Sequence, residues 1–365
     1  MPPLSVLIKP ASGMCNMQCS YCFYTDEMEN REIANYGIMS GDTLENVIRK
    51  SLTAAEGFCT FAFQGGEPTL AGLEFFETVV SLEKQYNTKS LKVSNVLQTN
   101  GYAIDRRWAE FLKREDFLVG VSLDGTKETH DRYRMDHSGR GTHDKVMGAV
   151  KLLQEYDVEF NILSVVTRRS AQNIGKAYEL FRRNGLTYQQ YIPCMGPLHE
   201  GKEMPEWALS AKAYETVLCR LFDEWYADLK KDRPVYNRYF TNLANMVHGY
   251  PPESCDMMGH CSNQYVIEAD GSVYPCDFYV LDEWQLGNIN ADDFAQLDAR
   301  CRELKFIEQS LPVPAECQTC EWYRLCRNGC RRERLSEPDG TVGKNKYCRA
   351  YQNFFRYAVP QLRKL

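Results

Sequence analysis

Short β-branched or aromatic segments alternate with amphipathic helical segments between residues 4 and 194, and this alternation constrains the fold more than any other feature of the chain. Strands separated by helices predict a parallel α/β sheet, and their near-continuous apolar character predicts that both faces are covered. Six such units are too few for an eight-fold barrel. We therefore predict an α/β fold with a partial (β/α)6 TIM-like barrel; a doubly wound sheet is the competing architecture. The six strand-like segments are 4–10, 59–64, 91–98, 117–123, 159–166 and 187–194.

The pattern changes after a helix-like segment at 206–229, where Pro-, Gly- and Cys-rich sequence with short strands begins. The stretch "GYPPES" that follows has the composition of a linker. A chain of 365 residues is long enough for two or three domains. We predict the partial barrel at 1–235, a small cysteine-rich domain at 236–348 and a C-terminal helix at 349–365.

The charge balance of the chain argues against several classes of partner. The sequence has 43 Lys and Arg residues against 49 Asp and Glu residues, a formal net charge of -6. Without a basic stripe, nucleic acid is not an expected partner. No apolar run reaches the ~18 residues that would indicate a transmembrane helix, and the N-terminal segment lacks the features of a secretory signal. We therefore expect a cytoplasmic protein that does not bind membranes.

The chain contains 15 cysteines, which need an explanation because a reducing cytosol disfavours structural disulfides. Most of them fall into two clusters. The remaining four stand alone in apolar or helical surroundings, and we expect them to behave as buried small hydrophobic side chains. These four are Cys59, Cys194, Cys219 and Cys301.

The first cluster, in "SGMCNMQCSYCFYTD", places Cys15, Cys19 and Cys22 in the loop after the first strand. Barrels of this kind build their sites at that end of the sheet. A zinc site needs a fourth ligand, and the nearest histidines in the sequence, His130 and His137, are far along the chain. Three thiolates on a four-iron cluster leave one iron open, which is useful when an exchangeable molecule binds there.

This spacing resembles the signature of the radical S-adenosylmethionine enzymes, C-x3-C-x-aromatic-C, with Tyr21 at the aromatic position. The resemblance implies that the open iron binds S-adenosylmethionine and that its cleavage gives a 5′-deoxyadenosyl radical. The stretch "FQGGEPTL" (63–70) resembles the family's GGEP turn, whose backbone meets the methionine amino group. Gly65 and Gly66 suit that role because a residue without a Cβ allows a close approach. A simple strand-to-helix turn is the alternative.

Three further positions resemble contacts that the family makes with S-adenosylmethionine. Ser122 ends the fourth strand and Arg134 follows it, and they match the ribose and carboxylate contacts. Met195, beyond the sixth strand, matches a position beside the adenine. An ordinary polar group at a strand end or a surface arginine would also fit these positions.

The second cluster resembles the SPASM domain, which carries auxiliary iron–sulfur clusters. Eight thiolates make two complete sets of four; two four-cysteine zinc sites would fit the spacing equally well. The spacing does not divide the eight residues, but the resemblance implies two [4Fe–4S] clusters and therefore three in the whole chain. One set is Cys255, Cys261, Cys276 and Cys330, and the other is Cys317, Cys320, Cys326 and Cys348.

Within this domain, "CSNQYVIEADGSVYPCD" predicts a β-hairpin with Asp270 and Gly271 as a two-residue turn. In that register residue 269 faces 272 and residue 276 faces 265. Because side chains alternate between the faces of a strand, this register would put Cys261 and Cys276 on one face.

The nearest resemblance is to the anaerobic sulfatase-maturating enzymes, through "CSYCFYTD", "FAFQGGEPTLAG", "LQTNG" and "YPCDFYVLDEWQLGNI". It implies oxidation of a cysteine or serine, in a sulfatase polypeptide with a C/S-x-P/A-x-R-like motif, to Cα-formylglycine. The radical would remove a Cβ hydrogen, and an auxiliary cluster would accept the second electron. Asp277 matches the family's base, and Tyr24 and Gln64 match substrate contacts. An electron donor such as a ferredoxin or flavodoxin is implied as a partner.

Two alternatives stay open on the sequence. Another SPASM peptide maturase, forming thioether or carbon–carbon crosslinks, would use the same clusters; many such enzymes carry a leader-peptide domain before the barrel, whereas only 14 residues precede Cys15 here. A non-enzymatic zinc or electron-transfer protein would leave the barrel and the GGEP turn unexplained. The preference between cysteine and serine substrates is open as well.

Overall fold

The computed structural model describes residues 3–198, 204–337 and 342–365. The strands are β1 (Leu4–Ile8), β2 (Phe58–Phe63), β3 (Lys92–Thr99), β4 (Leu118–Ser122), β5 (Phe160–Val166), β6 (Tyr188–Pro193), β7 (Tyr236–Asn237), β8 (Val266–Ile267), β9 (Ser272–Tyr274), β10 (Gly287–Asn288), β11 (Arg334–Ser336) and β12 (Val342–Asn345). The helices are α1 (Phe23–Glu29), α2 (Gly41–Ala54), α3 (Leu73–Tyr86), α4 (Arg106–Arg114), α5 (Lys127–Tyr133), α6 (His143–Glu155), α7 (Arg168–Gln172), α8 (Ile174–Arg183), α9 (Ala211–Leu229), α10 (Arg238–Val247), α11 (Cys255–Met258), α12 (Phe294–Glu303), α13 (Ala315–Gln318), α14 (Tyr323–Cys326) and α15 (Cys348–Leu362).

These elements form two compact units that alternate along the chain. The first unit contains residues 1–122, 134–160 and 262–306, and the second contains 123–133, 161–261 and 307–365. The six strands predicted from the sequence are present as β1 to β6. The sequence boundaries predicted at 235 and 348 stay a prediction, because the two units are defined by packing and each draws on several segments.

The sheet of the first unit combines parallel strands with an antiparallel edge. β1, β2, β3 and β4 pair in parallel, with Leu4 opposite Cys59 and Phe58 opposite Lys92. On its other side β1 pairs in parallel with β8, and β8, β9 and β10 continue in antiparallel pairing. Segments from the N-terminal and the cysteine-rich parts of the sequence therefore share one sheet.

Apolar side chains from this sheet pack against its helices. Phe63 on β2 contacts Phe76 on α3 edge to face, with the ring centroids 5.1 Å apart, and Phe76 contacts Trp108 on α4 at 5.3 Å. Side-chain caps fix the helix starts: Ser40 accepts from the amide of Thr43, and Asp105 accepts from the amide of Trp108. The pairing of capped amphipathic helices with β-branched strands confirms the alternation that the sequence predicts.

The second unit contains the parallel strands β5, β6 and β7 and an aromatic core between helices. Phe222 on α9 lies 5.6 Å from Phe240 on α10 and 5.8 Å from Phe354 on α15, measured between ring centroids. The predicted C-terminal helix thus exists as α15 and is anchored by its apolar face. Strands β11 and β12 form an antiparallel pair in this unit.

The predicted register of the β8–β9 hairpin is wrong by one residue. Val266 faces Tyr274 and Ile267 faces Val273, so the loop has three residues and not two. Gly271 lies in the left-handed region at φ 91°, which is the usual conformation of the last residue in a three-residue hairpin loop. Since a shift of one residue reverses which face each side chain takes, the argument that Cys261 and Cys276 share a face fails.

Three of the four isolated cysteines, Cys59, Cys194 and Cys301, are buried as expected, whereas Cys219 on α9 is only partly buried. Within the described ranges, no helix combines the length and the apolar character that a membrane span requires.

Candidate active site

The loop that carries Cys15, Cys19 and Cys22 connects β1 to α1 and is held by the GGEP turn. The amide of Gly66 donates to the Ser12 carbonyl at 2.8 Å, and the amide of Glu67 donates to the Met14 carbonyl at 2.7 Å. A Cβ on residue 66 would lie 2.0 Å from the Met14 carbonyl oxygen. Glycine is therefore required at this position because the backbones of the two loops touch.

The buried side chain of Glu67 explains why a carboxylate follows the two glycines. Its Oε1 accepts from the Thr99 hydroxyl at 2.7 Å, and its Oε2 accepts from the amide of Asn100 at 2.7 Å. The turn after β2 is thereby tied to the "LQTNG" segment at the end of β3. Sequence reasoning gave Glu67 no role. Its position inside the GGEP turn was a signal that could have been used.

Hydrogen-bond donors surround the sulfur atoms of this loop. Cys15 Sγ accepts from the amide of Met17 at 3.4 Å and from Asn100 Nδ2 at 3.6 Å, and Cys19 Sγ accepts from Arg134 at 3.8 Å. Burial raises the pKa of the Cys15 thiol to about 11. Donors of this kind stabilise the sulfurs of iron–sulfur clusters, and the three cysteines therefore fit a cluster.

The histidines do not complete a zinc site at this loop. His137 is far from the cysteine loop in the sequence but close to it in the structure. Its Nε2 donates to the backbone carbonyl of Cys15 at 2.9 Å, so this nitrogen is already engaged in a hydrogen bond. Across the part of the chain that the structure describes, no group of three or more His, Cys, Asp or Glu side chains converges on a single metal ion. Cysteines that each bind a different iron of one cluster stand farther apart than ligands of a single ion.

The residues predicted to contact S-adenosylmethionine are placed in both units. In the first unit, the Arg134 guanidinium lies over the Tyr21 ring at 5.5 Å, and Ser122 Oγ, at the end of β4, accepts from Gln98 Nε2 at 3.3 Å. Tyr21, Arg134 and the cysteine loop are therefore brought together. Met195 belongs to the second unit, where it follows β6 and is partly buried.

The structure brings Asp277, Tyr24 and Gln64 together although they come from three distant segments. Tyr24 Oη donates to Asp277 Oδ2 at 2.7 Å, and Gln64 Nε2 donates to the same oxygen at 2.8 Å. Gln64 Nε2 also lies 2.9 Å from Tyr24 Oη. Asp277 is only 5% exposed, yet no donor from the described residues reaches its other oxygen, Oδ1. One carboxylate oxygen is thus fixed, and the other is buried without a hydrogen-bond partner among the described residues.

Burial dominates the electrostatics of this group. It raises the pKa of Asp277, while the charge of Lys9 and the hydrogen bond from Tyr24 act in the opposite direction. Burial also raises the pKa of the Tyr24 phenol well above its usual value, so Tyr24 remains a hydrogen-bond donor at neutral pH.

A buried ionic network, which sequence reasoning missed, lies beside these residues. Lys9 Nζ is 2.9 Å from Glu268 Oε1, and Arg31 contacts the same oxygen at 2.7 Å. Lys9 also lies over the Tyr24 ring at 4.9 Å and is 4.0 Å from Glu27. The two cations hold the pKa of Glu268 below its usual value. The available signals were a lysine at the end of the apolar segment "LSVLIK" and a glutamate inside "YVIEADG".

The cysteines of the second cluster also come into proximity within the second unit. Burial raises the pKa of Cys326 to about 12, and Cys348, Cys317 and Cys320 add to this rise. Cys330 behaves similarly, at about 12, with Cys255 and Cys261 as neighbours. Thiols that influence one another in this way are close in space. Cys276, the eighth, belongs to the first unit and directly precedes Asp277.

Comparisons with known proteins agree with this geometry. The Radical SAM superfamily model matches residues 10–181, and the SPASM iron-sulfur cluster-binding domain model matches residues 255–321. The chain is 48% identical over 362 residues to the cysteine-type anaerobic sulfatase-maturating enzyme of Clostridium perfringens, covering 99% of this chain and 98% of the relative. It is 30% identical over 382 residues to the serine-type enzyme of Bacteroides thetaiotaomicron, covering 99% of this chain and 90% of the relative.

A solved structure described as native anSMEcpe with bound AdoMet and Cp18Cys peptide is 47% identical and superposes with a TM-score of 0.95, covering 100% of this chain and 98% of that chain. These matches confirm the predicted fold class, a radical S-adenosylmethionine partial barrel followed by a SPASM domain. They also confirm iron–sulfur clusters and S-adenosylmethionine as the cofactors. The chain therefore belongs to the family of anaerobic sulfatase-maturating enzymes.

Proposed function

We propose that the chain oxidises a cysteine of a sulfatase polypeptide to Cα-formylglycine, with Asp277 as the base that removes the thiol proton. The observation that carries this proposal is the buried Asp277 carboxylate, which has one oxygen held by two donors and the other without a hydrogen-bond partner among the described residues. Identity of 48% to a cysteine-type relative, against 30% to a serine-type relative, supports cysteine as the substrate residue.

Cys15, Cys19 and Cys22 would hold the cluster that binds S-adenosylmethionine. When bound, these cofactors supply a 5′-deoxyadenosyl radical that takes one hydrogen atom from the substrate Cβ. Removal of that hydrogen atom and of the thiol proton leaves one further electron that must leave the substrate. The substrate residue is then a thioaldehyde. Water converts this thioaldehyde to the aldehyde of formylglycine, and hydrogen sulfide leaves.

Asp277 accepts the thiol proton in this proposal. A free thiol has a pKa of ~8.5 and is mostly protonated at neutral pH, so a positioned base accelerates its oxidation. Tyr24 and Gln64 hold Oδ2, which directs Oδ1 toward the substrate, and burial keeps water from competing for it. Because Asp277 follows Cys276 directly, the proton and the departing electron would leave the substrate side by side.

The auxiliary clusters would be held by two complete sets of cysteines, and neither would have an open iron for substrate. The first set is Cys255, Cys261, Cys276 and Cys330, and the second is Cys317, Cys320, Cys326 and Cys348. Tyr21, Gly66, Ser122, Arg134 and Met195 would contact S-adenosylmethionine. The hydrogen-bond donors to Cys15 and Cys19 support a cluster at the cysteine loop, and Gly66 supports it indirectly because its backbone packs against that loop.

The partners and the location follow from the same proposal. The substrate would be an unfolded or nascent sulfatase with a C/S-x-P/A-x-R-like motif, and a ferredoxin or flavodoxin would donate electrons. Sulfatase maturation before folding places the enzyme in the cytoplasm. We also propose the domain boundaries 1–235, 236–348 and 349–365.

The decisive experiment uses a sulfatase-derived peptide with cysteine at the target position and a matched peptide with serine. Each is incubated anaerobically with reconstituted enzyme, S-adenosylmethionine and a chemical reductant. Formylglycine formation from the cysteine peptide removes sulfur and two hydrogens and adds one oxygen, and this mass change should appear faster than oxidation of the serine peptide. A product that keeps its sulfur and loses two hydrogens would indicate a crosslinking maturase and contradict the proposal.

Metal analysis tests the cofactor assignment independently. Cysteines divided as three, four and four predict three four-iron clusters, about 12 iron atoms per chain. Replacing Cys15, Cys19 and Cys22 together should remove about a third of the iron and all cleavage of S-adenosylmethionine. Stoichiometric zinc without iron uptake would contradict the assignment.

A further inference from the structure

A cavity of about 550 Å³ opens beside the cysteines of the second unit. It is lined mainly by side chains of β12 and α15. The residues that matter for its chemistry are Glu316, Lys344, Lys346, Cys348, Arg349 and Gln352. Neither the substrate-binding nor the catalytic roles proposed above involve this surface, apart from the ligand Cys348 itself.

The floor of the cavity adjoins the cysteines proposed to hold the second auxiliary cluster. Cys348 is part of the wall, and Gln352 Nε2 donates to Cys320 Sγ at 3.8 Å. Lys344 and Cys348 belong to the same lining, which places a cation beside one of the proposed ligands. A molecule seated in this cavity would therefore be separated from the sulfur atoms by no more than one layer of side chains.

The charge of this surface is positive in a chain that is acidic as a whole. Residues 311–365 contain 11 Lys and Arg residues against five Asp and Glu residues, while the whole chain has a net charge of -6. Three cations line the cavity, and Glu316 is the acidic residue among its described lining. Glu316 pairs with Lys344 but its side chain remains 74% exposed, so the pair is accessible and can exchange partners. Such asymmetry indicates an acidic partner.

We propose that the surface around this cavity, defined by Lys344, Lys346, Arg349 and Gln352, is the docking site of a small acidic one-electron carrier protein of the ferredoxin type. The inference rests on the proposed function, since it takes Cys317, Cys320, Cys326 and Cys348 as cluster ligands. One electron passes from the reduced cluster to the oxidised carrier; no bond forms or breaks and no proton moves. The electron is the one that substrate oxidation releases in each turnover. The carrier that accepts it is the oxidised form that remains after a ferredoxin has donated its electron for the cleavage of S-adenosylmethionine.

The character of the surface fits a short-lived complex. Exposed charges that pair across an interface raise the association rate and give salt-dependent affinity, and they do little to slow dissociation. Redox encounters bury little area and are weak for this reason.

The test measures binding of a small acidic bacterial ferredoxin to the anaerobically reconstituted enzyme at low and high salt. Neutralising two cations, in K344Q/R349Q, should weaken the affinity by about 5- to 20-fold at low salt and have less effect at high salt. Glu316→Gln should strengthen binding by about 2- to 5-fold, because it removes the competing acid and frees Lys344. The control K230Q/K231Q removes two exposed cations at the end of α9 in the same unit and should leave binding unchanged. Iron content verifies that each variant holds its clusters.

A second measurement separates this inference from the proposed function. With a chemical reductant and a small redox mediator that accepts the released electron in place of ferredoxin, K344Q/R349Q should form formylglycine at the wild-type rate, whereas turnover that depends on ferredoxin should fall with the affinity. Wild-type enzyme that makes no formylglycine would refute the proposed function while the binding data still decide the docking site. Ferredoxin affinity that is the same in K344Q/R349Q, E316Q and wild type would overturn the inference. If K344Q/R349Q loses binding of the sulfatase peptide but retains binding of ferredoxin, the surface binds the substrate. This result would also overturn the inference.

Discussion

Asp277 and Glu83 are two buried carboxyl groups of the same unit, and their surroundings differ in a way that separates chemistry from packing. Asp277 is 5% exposed and Glu83 is 7% exposed. Each has one oxygen that accepts hydrogen bonds and one that no donor from the described residues reaches. Burial raises the pKa of both groups, that of Glu83 to about 7. Burial and an unsatisfied oxygen therefore do not by themselves identify a catalytic base.

The difference lies in what converges on each group. Tyr24 and Gln64 donate to one oxygen of Asp277, and the positive charge of Lys9 lies nearby. These interactions favour the charged form, which is the form that accepts a proton. Glu83, on α3, receives one hydrogen bond from Asn95 Nδ2 on β3 at 3.0 Å. Asn95 Oδ1 also has no donor within the described residues.

The largest expected effect comes from Asp277→Asn, which keeps the size of the side chain but removes its ability to accept a proton. Formylglycine production should fall by a factor of about 10² to 10⁴, the usual contribution of a positioned base. Formation of 5′-deoxyadenosine should continue, because the cysteine loop is unchanged. Both products are measured in one anaerobic reaction, with iron content as the folding control.

Glu83→Gln is the matched control, since it makes the same carboxyl-to-amide change at a similarly buried position. It should leave both products at wild-type levels. If the two variants lose formylglycine equally, the comparison fails and the loss reflects general damage to the unit. If Asp277→Asn keeps its activity, the base lies elsewhere.

An intermediate effect is expected for Tyr24→Phe, which removes one of the two donors to Asp277 Oδ2. A hydrogen bond to a charged group contributes ~1.5–3 kcal/mol, so formylglycine production should fall about 10- to 100-fold. Tyr86→Phe is the control, because Tyr86 donates to Glu45 at a site remote in function. A reduction by the control that matches Tyr24→Phe would show that the effect does not depend on Asp277.

The smallest effect is a pH-dependent gain in stability from Glu83→Gln. A carboxyl pKa raised from 4.5 to about 7 means that the folded protein keeps this proton while the unfolded chain loses it. Wild-type stability therefore falls as the pH rises from about 4.5 to about 7, by about 1–3 kcal/mol in total. The amide does not ionise, so the melting temperature of the variant should match wild type near pH 5 and exceed it by about 2–4 °C near pH 8. A difference that does not change with pH would contradict a protonated Glu83.

The sequence predicted the elements of the fold well and their pairing less well. β1 to β6 lie within one or two residues of the predicted segments, because apolar periodicity reports local burial directly. The β8–β9 register was wrong because a two-residue and a three-residue loop both suit "EADGS", and the difference is one residue. The parallel pairing of β1 with β8 was not predicted, since no local pattern links residues more than 250 positions apart.

The same distinction holds within the candidate site. Resemblance supplied Asp277, Tyr24 and Gln64, and the structure places them in hydrogen-bonding contact. The buried pair formed by Lys9 and Glu268 escaped notice, because a single charged residue in an apolar strand gives no indication of its partner. Their proximity follows from the pairing of β1 with β8, which was itself unexpected.

By itself the sequence narrowed the chemistry that this chain can perform. It contains one group of three closely spaced cysteines and a second group of eight, and these counts do not depend on the fold; three thiolates leave one iron of a four-iron cluster open, and eight suffice for two complete sets of four. The tertiary structure decided which contacts two similarly buried acids receive: strand pairing brings Tyr24, Gln64 and Lys9 to Asp277, whereas Glu83 accepts a hydrogen bond from Asn95. The physical reason is that a pKa and a hydrogen-bond geometry depend on atoms within a few ångströms, and only the folded chain brings those atoms from distant segments.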